Sequence, residues 1–176
     1  MIEGQGSGGA RNKPPARLSA QQRLSGLTRR AAHARAVRPD TGMEGEIRVS
    51  IRTNADILEA RREGRELAAR LGFSSIDCTL IATAISELSR NIVLYAGQGE
   101  ICLCREELIA SSGIVIVASD HGPGIRDIRT ALQDGYSTSR GLGLGLPGIK
   151  RIMDEFEVVS KPRQGTTVTV KKWKPR

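Results

Sequence analysis

The chain has 176 residues, 39% of them apolar, enough to build the core of one domain of ordinary size. No run approaches the roughly 18 consecutive apolar residues of a membrane span, and Cys78, Cys102 and Cys104 lack zinc-like spacing, so they are expected to be buried thiols in a reducing cytoplasm. The net charge of +8 is concentrated at the start: residues 1–44 hold eight Lys or Arg against three Asp or Glu, whereas residues 45–176 hold nineteen against sixteen, which argues against nucleic acid as a partner of the folded part.

Residues 1–44 are rich in Gly, Pro, Ser, Ala and Arg and contain no aromatic side chain. Such a segment buries too little apolar area to offset its chain entropy, so it is expected to be a disordered basic extension. Residues 16–36 read as a transient basic helix, and an Arg-rich, acid-poor leader also has the composition of a transit peptide. The abrupt change to patterned sequence at Glu46 raises the expectation that translation begins at Met43. The domain is then 45–176.

From there strands and helices follow in turn. Ile47, Val49 and Ile51 alternate with polar residues, which predicts a strand with one buried face. Thr53-Asn54-Ala55-Asp56 has the pattern of a capping box and opens a helix to about Leu71, ended by Gly72. Ser74-Ser75-Ile76-Asp77 caps a second helix to about Ala96, closed by Gly97. Residues 100–105 and 114–119 read as strands of a hairpin turning at Ser111-Ser112-Gly113. A short helix is expected over 128–132 and a Gly/Ser-rich loop over 134–145. Pro147 then suits the first turn of a helix to about Phe156. Strands at 157–160 and 166–172 complete an α+β pattern, a mixed and mostly antiparallel sheet with helices on one face.

Three motifs carry chemistry. At about 100° per residue, Ile81, Ile85, Leu88, Ile92 and Tyr95 share one stripe of the second helix. Glu87 and Asn91 border that stripe instead of opposing it. Burying them costs several kcal/mol unless they find partners, which a metal and a polarised hydroxyl would supply; the plainer alternative is a solvated Glu87–Arg90 pair. The second motif is Asp120-His121-Gly122-Pro123-Gly124, at the end of the apolar run Ile114-Val115-Ile116-Val117-Ala118. A carboxylate there can accept from an exocyclic amine, and the glycines allow a sharp turn and the approach of a flat ring; alone, the run is also an ordinary turn. The third is Gly141-Leu142-Gly143-Leu144-Gly145-Leu146-Pro147-Gly148. Backbone N–H groups of a glycine-rich turn at a helix start can cradle phosphate, or the run is a hinge. Its spacing matches neither a Rossmann fingerprint nor a P-loop.

The order of these motifs closely resembles the GHKL ATPase/kinase superfamily, with its left-handed Bergerat fold, a two-layer sandwich. Within it, Thr83-Ala84-Ile85-Ser86-Glu87-Leu88, Asp134-Gly135-Tyr136-Ser137-Thr138-Ser139 and Gly145-Leu146-Pro147-Gly148-Ile149-Lys150-Arg151-Ile152-Met153-Asp154-Glu155-Phe156 resemble the small bacterial switch-protein kinases of the RsbT type. The likeness covers 46–176.

This resemblance implies roles for individual residues. Glu87 would orient or deprotonate the attacking hydroxyl, and Asn91 would bind Mg²⁺ and help hold ATP. Asp120 would accept from the adenine amine, joined by Thr166 through a water, with Gly122 and Gly124 lining the adenine pocket. Residues 134–145, including Ser137 and Thr138, would form the ATP lid, with Gly141, Gly143 and Gly145 around the phosphates and Arg140 reaching the γ-phosphate. The implied activity is phosphorylation of a Ser or Thr on a STAS-domain antagonist or scaffold protein in a bacterial stress pathway. The released kinase would then activate a PP2C-type phosphatase. An ATP-gated anti-sigma-factor module, binding a sigma factor with little catalysis, remains open. A histidine-kinase catalytic domain gains no support, since neither His33 nor His121 offers a phosphoacceptor helix.

Overall fold

The computed structural model describes residues 46–108, 111–133 and 144–175. The chain divides into Met1–Thr41 and Gly42–Arg176, and all described residues belong to the second unit. The expected basic extension therefore lies outside the described residues, as do 134–143 of the expected lid.

The elements are β1 (Ile47–Ile51), α1 (Asn54–Arg70), α2 (Ser75–Asn91), a π-helical turn (Ile92–Ala96), β2 (Gly99–Leu108), β3 (Ser111–Asp120), α3 (Ile128–Ala131), α4 (Gly145–Ile152), β4 (Glu155–Lys161) and β5 (Gly165–Trp173). The strands form one sheet in the order β1-β2-β3-β5-β4. Each described pairing is antiparallel, so the sheet is uniform where the sequence pattern left room for a parallel pair.

Local chemistry sets the helix ends. Thr53 caps α1 in a reciprocal box with Asp56, whose carboxylate accepts from the N–H groups of Arg52 (2.8 Å) and Thr53 (2.7 Å). Those backbone donors hold the Asp56 carboxyl below its usual pKa. Ser74 caps α2 by accepting from the Asp77 N–H at 3.1 Å.

Strand alternation places Val49, Ile51, Ile101, Leu103, Ile114, Ile116, Ala118, Val168 and Val170 on one face of the sheet. They pack against Ala60, Leu67 and Ala68 of α1, Ile81, Ala84, Ile85 and Leu88 of α2, and Ile149 of α4. Each fully buried Ile or Leu contributes about 2 kcal/mol, so this aliphatic layer fixes which sheet face meets the helices. The α1–α2 crossing is close: a Cβ on Gly64 would lie 2.0 Å from Ile85 Cδ1, and Ile85 is fully buried.

Four sequence expectations are corrected. Ser111, Ser112 and Gly113 belong to β3, because the register pairs Leu108 with Ser111 and carries the hairpin three residues further. The second helix changes at Ile92 into a π turn, closed by Gly97 N–H on Ile92 O (2.9 Å), and the wider turn leaves Tyr95 half exposed instead of buried. Helix α4 stops at Ile152: the Asp154 carboxylate accepts from Trp173 N (2.7 Å) and Lys172 Nζ (2.8 Å), so the chain is already strand by Glu155. Finally, only Cys78 is buried; Cys102 and Cys104 are half-buried on the sheet face away from the helices.

The Cys102 thiol donates to Glu46 Oε1 at 2.7 Å, and burial, that bond and the glutamate charge push its pKa well above the ordinary thiol value; burial also raises Cys104. No helix among the described residues is long and apolar enough to cross a membrane.

Two outcomes are expected. Gly64→Val should destabilise the domain by about 1–3 kcal/mol by overpacking, read as a lower urea midpoint at unchanged m-value. The folded thiols hold their protons more tightly than unfolded ones, so their contribution is complete below the unfolded thiol pKa of about 9 and is lost as pH climbs toward the folded value. Urea midpoints should therefore fall above pH 9, and less steeply in Cys102→Ser.

Candidate functional site

Helix α2, the sheet, the Asp120–Ile125 turn and the start of α4 enclose a cavity of about 270 Å³. Leu88 and Ile92 from the helix side and Ala118 and Val168 from the sheet form an apolar bed. Ile125, Ala131 and Leu146 add apolar walls, and Asn91, Tyr95, Asp120 and Thr166 supply the polar groups. A flat apolar slot with a few convergent polar groups is the usual form of a small-molecule site.

Asp120 ends β3, and both recorded bonds of its carboxylate go to one oxygen. Oδ1 accepts from Gly122 N at 2.8 Å and from Thr166 N at 3.2 Å. This leaves Oδ2 for a ligand and fixes the plane of the carboxylate. Thr166 reaches this place because Gly165 adopts φ +88, and a Cβ at Gly165 would lie 2.0 Å from Asp120 O.

The two glycines of the turn have different surroundings. Gly124 lines the cavity. It has φ +73, and a Cβ there would lie 2.2 Å from Lys161 O, so the turn is pressed against the β4–β5 hairpin. Gly122 is absent from the lining; a Cβ there would lie 2.6 Å from Ala96 Cβ, so its smallness serves the packing of the turn against the π turn.

Helix α2 places Asn91 on the cavity wall. Glu87, one helical turn earlier, is only 8% exposed, and its Oε1 lies 3.4 Å from Arg90 Nη1. The pairing with Arg90 thus exists, yet the carboxylate is buried and not on a solvated edge. Glu87 does not itself line the cavity. Gly145 lines it, at φ +60 at the start of α4. Ser137, Thr138, Arg140, Gly141 and Gly143 lie outside the described residues.

Among the described residues no cluster of three or more His, Cys, Asp or Glu side chains could hold a metal ion. One amide oxygen is the donor type that suits Mg²⁺, a hard ion that takes one or two protein oxygens and completes its shell with phosphate and water. Asn91 fits that requirement.

Two features of the site escaped the sequence pattern. Tyr95, four residues after Asn91, falls on the core stripe of a regular helix; only the π turn brings it to the cavity rim. Ser160 carries no motif of its own; its place comes from partners in two other segments, Ile125 and the Gly165–Thr166 start of β5.

The model of the histidine kinase-like ATPase domain matches residues 51–172. Over 125 residues the chain is 51% identical to the serine/threonine-protein kinase RsbT of Bacillus subtilis, covering 71% of this chain and 94% of that protein. The chain belongs to the histidine kinase-like ATPase family, among the RsbT-type serine/threonine-protein kinases. This family likeness extends to the anti-sigma F factor of Thermoanaerobacter sp. (strain X514), 31% identical over 118 residues, 65% of this chain and 82% of that one. The crystal structure of the RsbU and RsbW domains of Rv1364c from Mycobacterium tuberculosis shares the fold, with a TM-score of 0.50 and 18% identity over 78% of this chain and 34% of that one.

For a kinase of this family the glycine turn is open to a direct test. Gly124→Ala forces a side chain into a left-handed conformation and against a backbone oxygen. It should cost about 1–3 kcal/mol, seen as a lower Tm, and should shrink the Tm increase that ATP produces in the wild type.

Proposed function

We propose that this chain transfers the γ-phosphoryl group of ATP to a Ser or Thr hydroxyl of a STAS-domain antagonist or scaffold protein. The setting is a sigma-factor partner-switching pathway in the bacterial cytoplasm. The observation that carries this reading is the convergence of Asn91 and Asp120 on one cavity, with the buried Glu87 carboxylate one helical turn from Asn91, in a chain 51% identical to RsbT.

In this reading the adenine ring lies on the Leu88–Ile92–Ala118–Val168 bed. The exocyclic amine donates to Asp120, whose carboxylate plane is already set by two backbone N–H groups. Thr166 stands beside it. The triphosphate runs toward the start of α4, where Gly145 and the lid residues Gly141 and Gly143 present backbone N–H groups, Ser137 and Thr138 add hydroxyls, and Arg140 meets the γ-phosphate. Asn91 would hold Mg²⁺, which supplies charge neutralisation to the phosphates when bound.

Glu87 aligns the acceptor hydroxyl and takes its proton as the oxygen attacks the γ-phosphorus; the bond to the bridging oxygen breaks and ADP leaves. Burial of Glu87 keeps water from competing for the carboxylate. After transfer, the freed kinase binds and activates a PP2C-type phosphatase.

The alternative is a binding module that grips a sigma factor with little catalysis, and the relation to the anti-sigma F factor favours it. The greater identity to the kinase weighs for transfer.

The test uses purified protein, Mg·ATP labelled at the γ position, and a STAS-domain protein from the same genome. Wild type should label the acceptor. Glu87→Gln should reduce the rate by about 10²-fold or more while still binding ATP, and Asn91→Ala should weaken both binding and rate. Equal labelling by both variants would remove these residues from the mechanism. Stoichiometric capture of a sigma factor with no acceptor labelling by the wild type would favour the binding module.

A further inference from the structure

Helix α1 packs against α2 and β1. Its opposite face is exposed, and a shallow recess of about 240 Å³ lies on it, lined by Leu58, Arg61, Arg62 and Arg65. These positions follow the i, i+3, i+4, i+7 spacing that brings the side chains of a helix to one side. Leu58 is 63% exposed. Ala55 and Ala69, also exposed, fall on the same stripe. Small residues around a projecting leucine let another helix come close.

A single exposed leucine is ordinary on a protein surface. The charges beside this one set it apart. Arg62 is already engaged, since its guanidinium pairs with Glu63 and, at 3.0 Å, with Glu66. Arg61 and Arg65 make no ion pair and no side-chain hydrogen bond with any described residue. They stand one helical turn apart on one flank of Leu58. A guanidinium holds a carboxylate through two parallel hydrogen bonds. A partner with two carboxylates one helical turn apart would satisfy both arginines while its apolar side chains cover Leu58, Ala55 and Ala69. An amphipathic helix with acidic residues at i and i+4 has this form.

Across its length α1 carries four acidic and four basic side chains. It therefore has no net charge with which to attract a phosphate-rich surface such as a membrane. It has charge at fixed positions instead, which selects a partner with carboxylates at matching positions.

The place of this face also matters. No residue of α1 lines the cavity. A phosphate acceptor must bring its hydroxyl into that cavity, whereas a protein held on the outer face of α1 need not. We infer that the outer face of α1 is a docking surface for an acidic amphipathic helix of the effector, the PP2C-type phosphatase of the reading above. Leu58 is its anchor, and Arg61 and Arg65 are its charge contacts. This rests on that reading and goes beyond it, since the kinase then has separate surfaces for acceptor and effector.

The experiment uses the full chain with the PP2C-type phosphatase and the STAS-domain protein of the same genome. It compares wild type with Arg61→Glu/Arg65→Glu and with Leu58→Ser. All three side chains are exposed, so both variants should keep the wild-type Tm. The readouts are the kinase concentration that gives half-maximal phosphatase activity, the KM for the STAS-domain protein and the Kd of Mg·ATP. The double reversal should raise the half-maximal concentration by about tenfold or more, and Leu58→Ser by about three- to tenfold, with KM and Kd unchanged. The gap between wild type and the double reversal should narrow as NaCl rises from about 50 to about 300 mM, because salt screens both the attraction and the new repulsion. Unchanged activation by both variants would overturn the docking surface, and so would binding to phosphatidylglycerol vesicles that the variants lose while activation stays intact. A raised KM for the STAS-domain protein in either variant would overturn it as well, by giving the face to the acceptor. A wild type that labels the STAS-domain protein yet leaves the phosphatase inactive would overturn the surface and spare the kinase reading. A folded wild type that neither binds Mg·ATP nor labels the STAS-domain protein would overturn the kinase reading, and this surface with it.

Discussion

The site depends on one carboxylate oxygen. Asp120 Oδ1 accepts from a backbone N–H just after β3 and from another at the start of β5, and so joins two strand ends that the sheet register alone would leave free to splay. Thr166, the turn through Gly124 and the hairpin pressed against that turn all take their places from this junction. Gly165 makes it possible, since any side chain there would strike the Asp120 carbonyl. A half-buried carboxylate held by backbone donors is also stiff, and that stiffness gives a small slot a fixed acceptor direction before any ligand arrives.

The helix side of the site has a different origin. Regular α-helical geometry explains why Glu87 and Asn91 stand one above the other beside the apolar stripe. It does not explain the last turn. The π turn at Ile92–Ala96 inserts an extra residue per turn, rotating Tyr95 from the core to the cavity rim while Asn91 stays on the wall. Such turns are frequent at functional sites because they re-aim a side chain without breaking the helix. Gly122 rests against Ala96 of this same turn, so the two halves of the site meet through a contact between two of the smallest residues.

What could be read in the sequence was local. The caps at Thr53 and Ser74, the glycine stops at Gly72 and Gly97, and the alternation of β1, β2, β3 and β5 each depend on neighbours within a few positions. The features that escaped depend on remote partners. Ser111-Ser112-Gly113 has turn composition, yet pairing with β2 draws it into a strand. Helix propensity carries the chain past Ile152, yet Asp154 is tied to the backbone and a lysine of β5. Alternation shows that Cys102 and Cys104 share a face, but not that this face is the one without helices. In the site, Asn91 and Asp120 were legible as spaced polar groups after apolar runs. The place of Gly122 against Ala96, and Ser160 as a hub, emerge only when separate segments are brought together.

Among the described residues the five-stranded sheet ends in two open borders, β1 and β4. Each border is short. Along β4 the charged side chains of Glu155, Glu157 and Lys161 recur, and β1 carries Arg48, held between Glu46 and Glu100. A foreign strand seeking to extend the sheet would have to strip water from these charges, a cost that guards against aggregation. The charges along both borders thus oppose edge-to-edge addition of a further strand, and leave the sheet to grow no wider than its five-stranded register.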